Sequence, residues 1–267
     1  MNRIDLNCDL GELPEAIADG TQEALLRSIT SANVACGGHA GDAQTMRLTV
    51  EQALRAGVAV GAHPGYPDRA NFGRLELKMS PEAVANSVCQ QVCALAEIAA
   101  ACGAPLRHVK PHGALYNQAV KDRSLADAVA KGVAKAVSEK RSDLRSGFVP
   151  LPLLVGLAGS PMLDVFREAG FPVAAEAFAD RRYELDGTLR SRKFDDALIR
   201  DPAEAARQAL VIAQRGVVAT HDGSEVALTA QTICIHGDTP GGPQIAAAVA
   251  RTLREAGISL GPLVPAT

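Results

Sequence analysis

Short apolar segments that end in polar and glycine residues recur along the chain, and stripes of apolar residues at helical spacing separate them. Val84, Val88, Val92 and Leu95, for example, fall on one face of a helix. The alternation is typical of a parallel sheet covered by helices, so the sequence predicts an α/β fold. The predicted strands cover residues 4–9, 34–36, 58–62, 109–110, 152–157, 173–177 and 232–235.

The first predicted strand has one polar and one apolar face. Asp5, Asn7 and Asp9 alternate with Leu6 and Cys8. The apolar face must meet helices, so the polar face is expected to point into a barrel. We therefore predict a β/α barrel, with seven strands as the count that the pattern gives, formed by residues 1–267 as a single domain. Three inward polar side chains are costly unless they are paired or wet, and Asp5 alternatively forms a hydrogen-bonded plug that closes the barrel.

Several local signals mark helix ends. Ser80-Pro81 and Asp201-Pro202 each combine an N-cap residue with a proline at the first helical position, and Asp42 is a further candidate N-cap. Two polar segments interrupt the alternation. The charged residues 138–147 are predicted to form a solvated loop, and residues 180–196 connect the sixth strand to its helix.

Composition and charge exclude several classes of protein. The chain has 27 basic and 30 acidic residues and no basic run, which argues against a nucleic-acid partner. Residues 148–162 form the most apolar segment, but it is too short and too rich in proline to span a bilayer. The six cysteines include no C-x-x-C pair. We therefore expect reduced thiols in a cytoplasmic protein without a membrane partner.

Four of the six histidines follow the predicted strand ends: His39, His63, His112 and His236. Parallel strands bring their carboxyl ends to one side of a barrel, so these imidazoles are expected to share one mouth with nearby carboxylates. Lys110 at the same edge is suited to bind an anion, to carry a proton with a lowered pKa, or to form a structural ion pair.

Some candidate chemistry is not expected. An extended chain would separate His108 from His112 by roughly 13 Å, so the two should not share one metal ion. His221 lies in a predicted turn and is left out of the site. The sequence contains no phosphate-binding loop, no nucleophile elbow and no H-E-x-x-H motif, so an independent ATP site is not expected.

The strand-end motifs together resemble the LamB/YcsF family, known as the A subunits of 5-oxoprolinase. The resemblance extends from residue 3 to about residue 258, with Cys8 where alanine is expected and Gly38 where an aromatic residue is usual. Because glycine has no side chain, Gly38 in place of an aromatic residue is expected to widen the pocket. The matching segments are residues 5–12, 33–42, 61–64, 67–74, 108–117, 176–183 and 234–238.

The resemblance implies a barrel of the glycoside hydrolase/deacetylase type. It also implies ATP-dependent opening of 5-oxoproline to L-glutamate, with ATP as co-substrate and the 5-oxoprolinase B and C subunits as partners. A divalent ion such as Mg²⁺ is compatible with that reaction, but we assign no residue as a metal ligand. The basic residues of the 180–196 connection are suited to bind a carboxylate or phosphate.

We assign roles on this basis. Asp9 or His63 is the predicted general base, Lys110 and His112 stabilise charge, and His236 forms an acid/base pair with Asp238. The predicted substrate-binding residues are Asn7, Glu12, His39, Arg74, Glu176, Asp180 and Arg181.

Two other functions stay open at this point. Asp9, His39 and His63 offer one carboxylate and two imidazoles to a divalent ion, as in a metal-dependent carbohydrate deacetylase. Alternatively, the chain is a non-catalytic subunit that binds a sugar or an anion.

Overall fold

Seven parallel strands close into a barrel at the centre of the protein, which we describe from a computed structural model for residues 3–141 and 151–263. The barrel strands are β1 (Arg3–Leu10), β2 (Ser31–Ala35), β3 (Ala59–His63), β4 (Leu106–Val109), β5 (Leu153–Leu157), β6 (Val173–Phe178) and β9 (Thr232–Ile235). β1 pairs with β2 on one side and with β9 on the other, and this second pairing closes the barrel. The prediction of a seven-stranded β/α barrel is therefore confirmed.

Helices surround the barrel and return the chain from the end of one strand to the start of the next. They are α1 (Pro14–Ala18), α2 (Thr21–Leu26), α3 (Ala43–Arg55), α4 (Pro81–Ala101), α5 (Gly113–Ala119), α6 (Arg123–Arg141), α7 (Pro161–Glu168), α8 (Pro202–Arg215) and α9 (Gly242–Glu255). Within the described residues, three short strands lie outside the barrel: β7 (Val217–Ala219), β8 (Glu225–Ala227) and β10 (Ser259–Leu260).

The two faces of β1 are used as the alternation predicts. Leu6 and Cys8 are fully buried in the apolar layer between the strands and the helices. On the opposite face, the Asn7 side chain donates to Glu176 Oε1 at 3.0 Å and to Thr232 Oγ1 at 2.7 Å. Burying these polar groups is tolerable because each finds a partner inside the barrel.

A histidine occupies the barrel interior because a neighbouring strand carries a glycine. His108 Nε2 lies 2.7 Å from Asn33 Oδ1, and His108 is only 1% exposed. A Cβ atom at Gly61 would lie 2.2 Å from the same imidazole nitrogen, so any larger residue there would displace the ring. His108 and His112 therefore have separate surroundings, as their strand spacing predicts.

The helix ends follow the local signals in the sequence. Asp42 accepts a hydrogen bond from Thr45 N at 2.8 Å and forms a capping box with that residue. Asp201 accepts from two backbone N–H groups at the start of α8, which ends at the left-handed Gly216. Ser80 caps α4 in the same way.

One expectation about a loop needs correction, and one hairpin was missed. Helix α6 continues to Arg141, so the beginning of the charged segment 138–147 is helical rather than a loop, and residues 142–147 lie outside the described residues. The β7–β8 hairpin was not predicted, because its strands are only three residues long and carry little periodic signal. His221 does lie in the turn of that hairpin, as predicted.

Helix α4 is the one helix among residues 3–141 and 151–263 that is long and apolar enough to cross a membrane. Its buried face includes Val88, Val92 and Leu95, which belong to the main apolar core. In this fold α4 is therefore part of the helical layer around the barrel, where it packs against α3 and α6.

Asp5 forms the hydrogen-bonded plug that the sequence left as an alternative. One carboxyl oxygen accepts from the hydroxyls of Thr30 at 2.6 Å and Ser31 at 2.7 Å, and the other accepts from Thr232 at 2.5 Å. Burial raises the pKa of Asp5 to about 6, even though the three hydroxyls favour the ionised form. The ionised carboxylate is thus poorly tolerated at this position.

We expect Asp5→Asn to change how the free energy of unfolding depends on pH. Because the folded-state pKa of Asp5 is raised above 3.8, its contribution is present at low pH and is lost as the pH rises to about 6. Asparagine does not titrate, so the stability of the variant relative to the wild type should improve by about 2 kcal/mol between pH 4 and pH 7. Urea denaturation at both pH values measures this difference, and a pH-independent difference would contradict the prediction.

Candidate active site

A cavity of about 990 Å³ opens at the end of the barrel where the strands have their carboxyl ends. Loops that follow several barrel strands form its wall, as expected for a β/α barrel. The charged and imidazole side chains that line it are Asp9, Glu12, His63, Arg74, Glu76, Lys110, His112, Lys121, Asp122, Arg181, Arg190, Arg192, Lys193, His236 and Asp238.

Lys110 places a buried cation at the floor of this cavity. Its Nζ lies 2.9 Å from Asp9 Oδ1 and 3.0 Å from Glu176 Oε1, and the side chain is only 3% exposed. Burial alone would lower the pKa of Lys110, but Asp9, Cys234 and Glu176 outweigh it and raise the pKa well above its usual range. The suggestion that Lys110 carries protons with a lowered pKa is therefore wrong, and the ammonium group stays charged.

Asp9 connects this cation to the histidines. Its Oδ1 accepts from Lys110 and from Asn33, while its Oδ2 lies 3.2 Å from His63 Nε2. Burial alone would raise the pKa of Asp9, but His63 and Lys110 hold it well below its usual range. Asp9 is thus a fixed anion and, with so low a pKa, a weak candidate for the general base.

His236 is paired with Asp180, and the predicted His236–Asp238 pair is wrong. His236 Nδ1 lies 2.9 Å from Asp180 Oδ1, and the His236 backbone N–H donates to Asp180 Oδ2 at 2.9 Å. Burial alone would raise the pKa of Asp180, but the interactions with His236 lower it. The ionised carboxylate accepts a hydrogen bond from Nδ1–H, so Nε2 is left as the nitrogen with a free lone pair, on a residue that lines the cavity. The ring stacks on Phe178, with ring centroids 5.5 Å apart.

Asp238 belongs instead to the rim of the cavity. It forms an ion pair with Arg74, and Arg192 lies 3.8 Å away. Burial alone would raise the pKa of Asp238, but His236 and the two arginines lower it. The short sequence separation from His236 suggested a direct pair, but the turn after β9 directs the two side chains to different partners.

Glu12, His39, His63 and His112 form what we call the imidazole cluster, beside Asp9. His39 Nε2 lies 3.0 Å and His112 Nδ1 3.2 Å from Glu12 Oε1. Burial raises the pKa of Glu12, and it lowers the pKa of His39 to about 2 and that of His112 well below its usual range. In this arrangement the imidazoles of His39 and His112 are neutral.

The connection between β6 and α8 supplies the basic side of the cavity. Arg181 is only 4% exposed and donates from Nη2 to the Arg190 carbonyl at 2.6 Å. Burial and the neighbouring Arg192 lower the pKa of Arg181 to about 10, so it remains a cation near neutral pH. Arg182 does not line the cavity and pairs with Glu204 at 2.7 Å.

The predicted site residues thus fall into two groups, one that lines the cavity and one that lies behind the lining residues. The cavity wall contains all six predicted catalytic residues together with Glu12, Arg74 and Arg181. Four predicted substrate-binding residues do not line the cavity but contact residues that do: Asn7, His39, Glu176 and Asp180.

Two residues near the cation were missed by the sequence analysis. Phe178 lines the cavity, and Cys234 Sγ lies 3.0 Å from Lys110 Nζ. The sequence could have indicated Cys234, because strand alternation places it on the same strand face as His236. Gly38 does not line the cavity, contrary to the expected widening. A Cβ atom there would lie 2.3 Å from Gln91 Oε1, so Gly38 makes room for Gln91.

Fold and site together define a β/α-barrel enzyme whose charged and acid–base groups converge at the mouth of the barrel. The sequence profile of the LamB/YcsF family matches residues 4–267. The chain therefore belongs to the LamB/YcsF family.

Similar proteins support this assignment over the whole chain. A relative from Chloroflexus aggregans, named as the A subunit of 5-oxoprolinase, is 52% identical over 260 residues, which cover 97% of this chain and 98% of the relative. The protein of the same name from Bordetella pertussis is 48% identical and covers 96% and 97% of the two chains. The crystal structure of the lactam utilization protein from Thermus thermophilus has a TM-score of 0.85 and 42% identity, covering 98% and 100%.

Proposed function

We propose that this chain is the A subunit of a 5-oxoprolinase, a hydrolase that opens the cyclic amide 5-oxoproline to L-glutamate with hydrolysis of ATP. The names of the relatives at 52% and 48% identity support the substrate class, and the name of the similar crystal structure also refers to a lactam. The proposal extends these names to the present chain because the matches cover nearly its full length.

One observation supports the proposed reaction chemically. A single cavity combines the buried Lys110 cation, the His236 imidazole oriented by Asp180, and the guanidinium groups of the β6–α8 connection. A lactam that carries a carboxylate needs these three functions: an anion contact, stabilisation of charge on its amide oxygen, and a base that activates water.

The net reaction consumes one 5-oxoproline, one ATP and two water molecules, and gives L-glutamate, ADP and phosphate. In the proposed sequence, the amide oxygen attacks the γ-phosphoryl group of ATP and ADP leaves. Water then adds to the activated ring carbon, the carbon–nitrogen bond breaks, and a second water releases the phosphate. The ring nitrogen ends as the amino group of glutamate.

The residues of the cavity suit these steps. His236 takes the proton from the attacking water at Nε2, while Asp180 keeps the proton on Nδ1. Lys110 stabilises the negative charge that develops on the substrate oxygen, and Asp9 and Glu176 hold that ammonium group in place. Arg181 and Arg192 bind the substrate carboxylate or the transferred phosphoryl group.

The proposal includes two partners, the B and C subunits, in the cytoplasm. The relatives are named as A subunits, which supports an assembly of several chains. The sequence contains no phosphate-binding loop, which supports a division of ATP binding between this chain and its partners. We propose ATP as a co-substrate of the assembly, with Mg²⁺ as its counter-ion.

The proposal is tested by measuring glutamate release from 5-oxoproline and ATP. The chain is assayed alone and with the candidate B and C subunits, and we expect release only from the complete mixture. Omission of ATP should abolish it. No release from a folded, assembled complex would overturn the proposal and favour the metal-dependent amide hydrolase.

A further inference from the structure

The four residues of the imidazole cluster meet beside the cavity. Each offers one ligand atom, and these atoms all lie within 4.8 Å of one another. The closest pairs are 2.9 Å apart for His63 and His112 and 3.0 Å apart for His39 and Glu12. The residues follow β1, β2 and β4 or end β3, so barrel closure alone brings them together.

Backbone carbonyls fix which nitrogen of two rings carries the proton. His63 Nδ1 lies 2.7 Å from the Lys110 carbonyl, and His112 Nε2 lies 2.9 Å from the Phe72 carbonyl. A carbonyl oxygen accepts hydrogen bonds and cannot donate them, so both of these nitrogens are N–H donors. The other nitrogens, His63 Nε2 and His112 Nδ1, therefore direct lone pairs toward each other across 2.9 Å.

Two facing lone pairs at this distance need a positive species close to both. Either a proton lies between the rings, carried by His63 or supplied by the carboxyl group of Glu12, whose pKa burial raises, or a cation lies beside them. The nearest ammonium group, that of Lys110, is already paired with Asp9 and Glu176. In the part of the chain that the structure describes, the ion-pair partners of Glu12 within 4 Å are all imidazoles. The cluster therefore offers a carboxylate and several lone pairs.

The third ring is held by close packing. His39 is 1% exposed and stacks on His112, with ring centroids 3.7 Å apart and an interplanar angle of 6°. A Cβ atom at Gly65 would lie 2.7 Å from His39 Nδ1, so glycine is needed for the ring to fit. Because the His39 and His112 rings lie in nearly parallel planes, their in-plane lone pairs cannot meet at one ion, and His39 Nε2 instead contacts Glu12 Oε1 at 3.0 Å.

We propose that Glu12, His63 and His112 bind a divalent transition-metal ion of the zinc type, with His39 stacked on His112 as a packing partner. Tetrahedral coordination with bonds of about 2.0–2.1 Å places ligand atoms about 3.3–3.4 Å apart, and the contacts of 2.9, 3.2 and 3.8 Å among His63, His112 and Glu12 bracket that value. The two backbone carbonyls act as the outer partners that orient metal-bound imidazoles. The inference goes beyond the proposed function, which uses no metal held by this chain.

Such an ion would tie the end of β3 to the segments that follow β1 and β4, beside the Asp9–Lys110 pair. It replaces the metal set suggested by the sequence, because Asp9 groups with Cys234 and His236 rather than with His39. Imidazole and carboxylate ligands favour zinc, cobalt or nickel over magnesium. Binding to the folded state should also raise the thermal midpoint of unfolding.

The test uses the purified chain without substrate, ATP or partners, so its outcome is independent of the proposed activity. After dialysis against a chelator, the chain is titrated with Zn²⁺ by calorimetry and with Co²⁺ by visible absorption. We expect one ion per chain and a Co²⁺ spectrum of nitrogen and oxygen ligands without thiolate charge transfer. Absence of 1:1 binding by the folded chain would overturn the proposal and leave a shared proton between His63 and His112.

Variants locate the ion. His63→Gln and His112→Gln should each weaken Zn²⁺ binding by more than about 100-fold, since even losing an outer partner costs about 10- to 100-fold. His221→Gln, at an imidazole in a partly exposed turn, should bind as the wild type does. Cys89, Cys93 and Glu139 form a second group of possible ligands. Loss of binding in Cys89→Ser, or a thiolate spectrum in the wild type, would place the ion there and contradict the assignment.

Discussion

Replacement of Asp180 by asparagine should lower kcat for ring opening by about 10³- to 10⁴-fold, although Asp180 does not line the cavity. The carboxylate now accepts from both the backbone N–H and the Nδ1 of His236. In the variant, the asparagine oxygen can retain the backbone contact, and its amide group then donates to Nδ1. That contact moves the imidazole proton to Nε2, so the ring can no longer accept a proton from water.

The measurement compares kcat and KM for Asp180→Asn, His236→Gln and the double variant in the assembled enzyme. A positioning role predicts a fall in kcat with little change in KM, and a double variant no worse than His236→Gln alone. His221→Gln is the matched control, because the His221 imidazole lies in the β7–β8 turn and pairs with Glu184. Activity of Asp180→Asn within a few-fold of the wild type would show that His236 is not the base.

The second large effect concerns stability. Lys110→Met should lower the free energy of unfolding by about 3–5 kcal/mol and abolish ring opening, because it leaves buried carboxylates without their cation. Asp9 and Glu176 lie 2.9 and 3.0 Å from the ammonium group, and both are buried. Methionine fills a similar volume, so the loss would reflect charge more than packing.

Urea denaturation of Lys110→Met and of the double variant Lys110→Met/Glu176→Gln tests this cause. The second substitution removes one unpaired charge and should recover part of the lost stability, without restoring activity. Lys131→Met is the control, because its ion pair with Asp127 is exposed and should contribute less than about 1 kcal/mol. A double variant less stable than Lys110→Met would contradict the electrostatic explanation.

Local sequence signals predicted much of the architecture. The last barrel strand has the predicted bounds, 232–235, and the caps at Asp42, Ser80 and Asp201 mark helix starts in the structure. These features depend on residues within a few positions of one another. The β7–β8 hairpin was missed because strands of three residues carry almost no periodicity.

The sequence predicted many of the residues that line the cavity, but it predicted only some of the contacts between them. Strand alternation placed Asp9, Lys110 and His236 on inward faces, and they do line one cavity. The partner of His236 was predicted from proximity in sequence to be Asp238, whereas barrel closure brings it against Asp180, 56 residues away. Alternation gives the face of a strand, but the distance between side chains also depends on register.

The sequence by itself determined the order of strands and helices, the inward polar face of β1 and the collection of histidines at one end of the barrel. It did so because periodicity and capping are local properties of the chain. The tertiary structure alone decided that Lys110 is a fixed cation, that Asp180 orients His236, and that three imidazoles meet Glu12. These outcomes depend on burial and on the pairing of strands distant in sequence, which set the pKa values and the hydrogen-bond partners once the barrel closes.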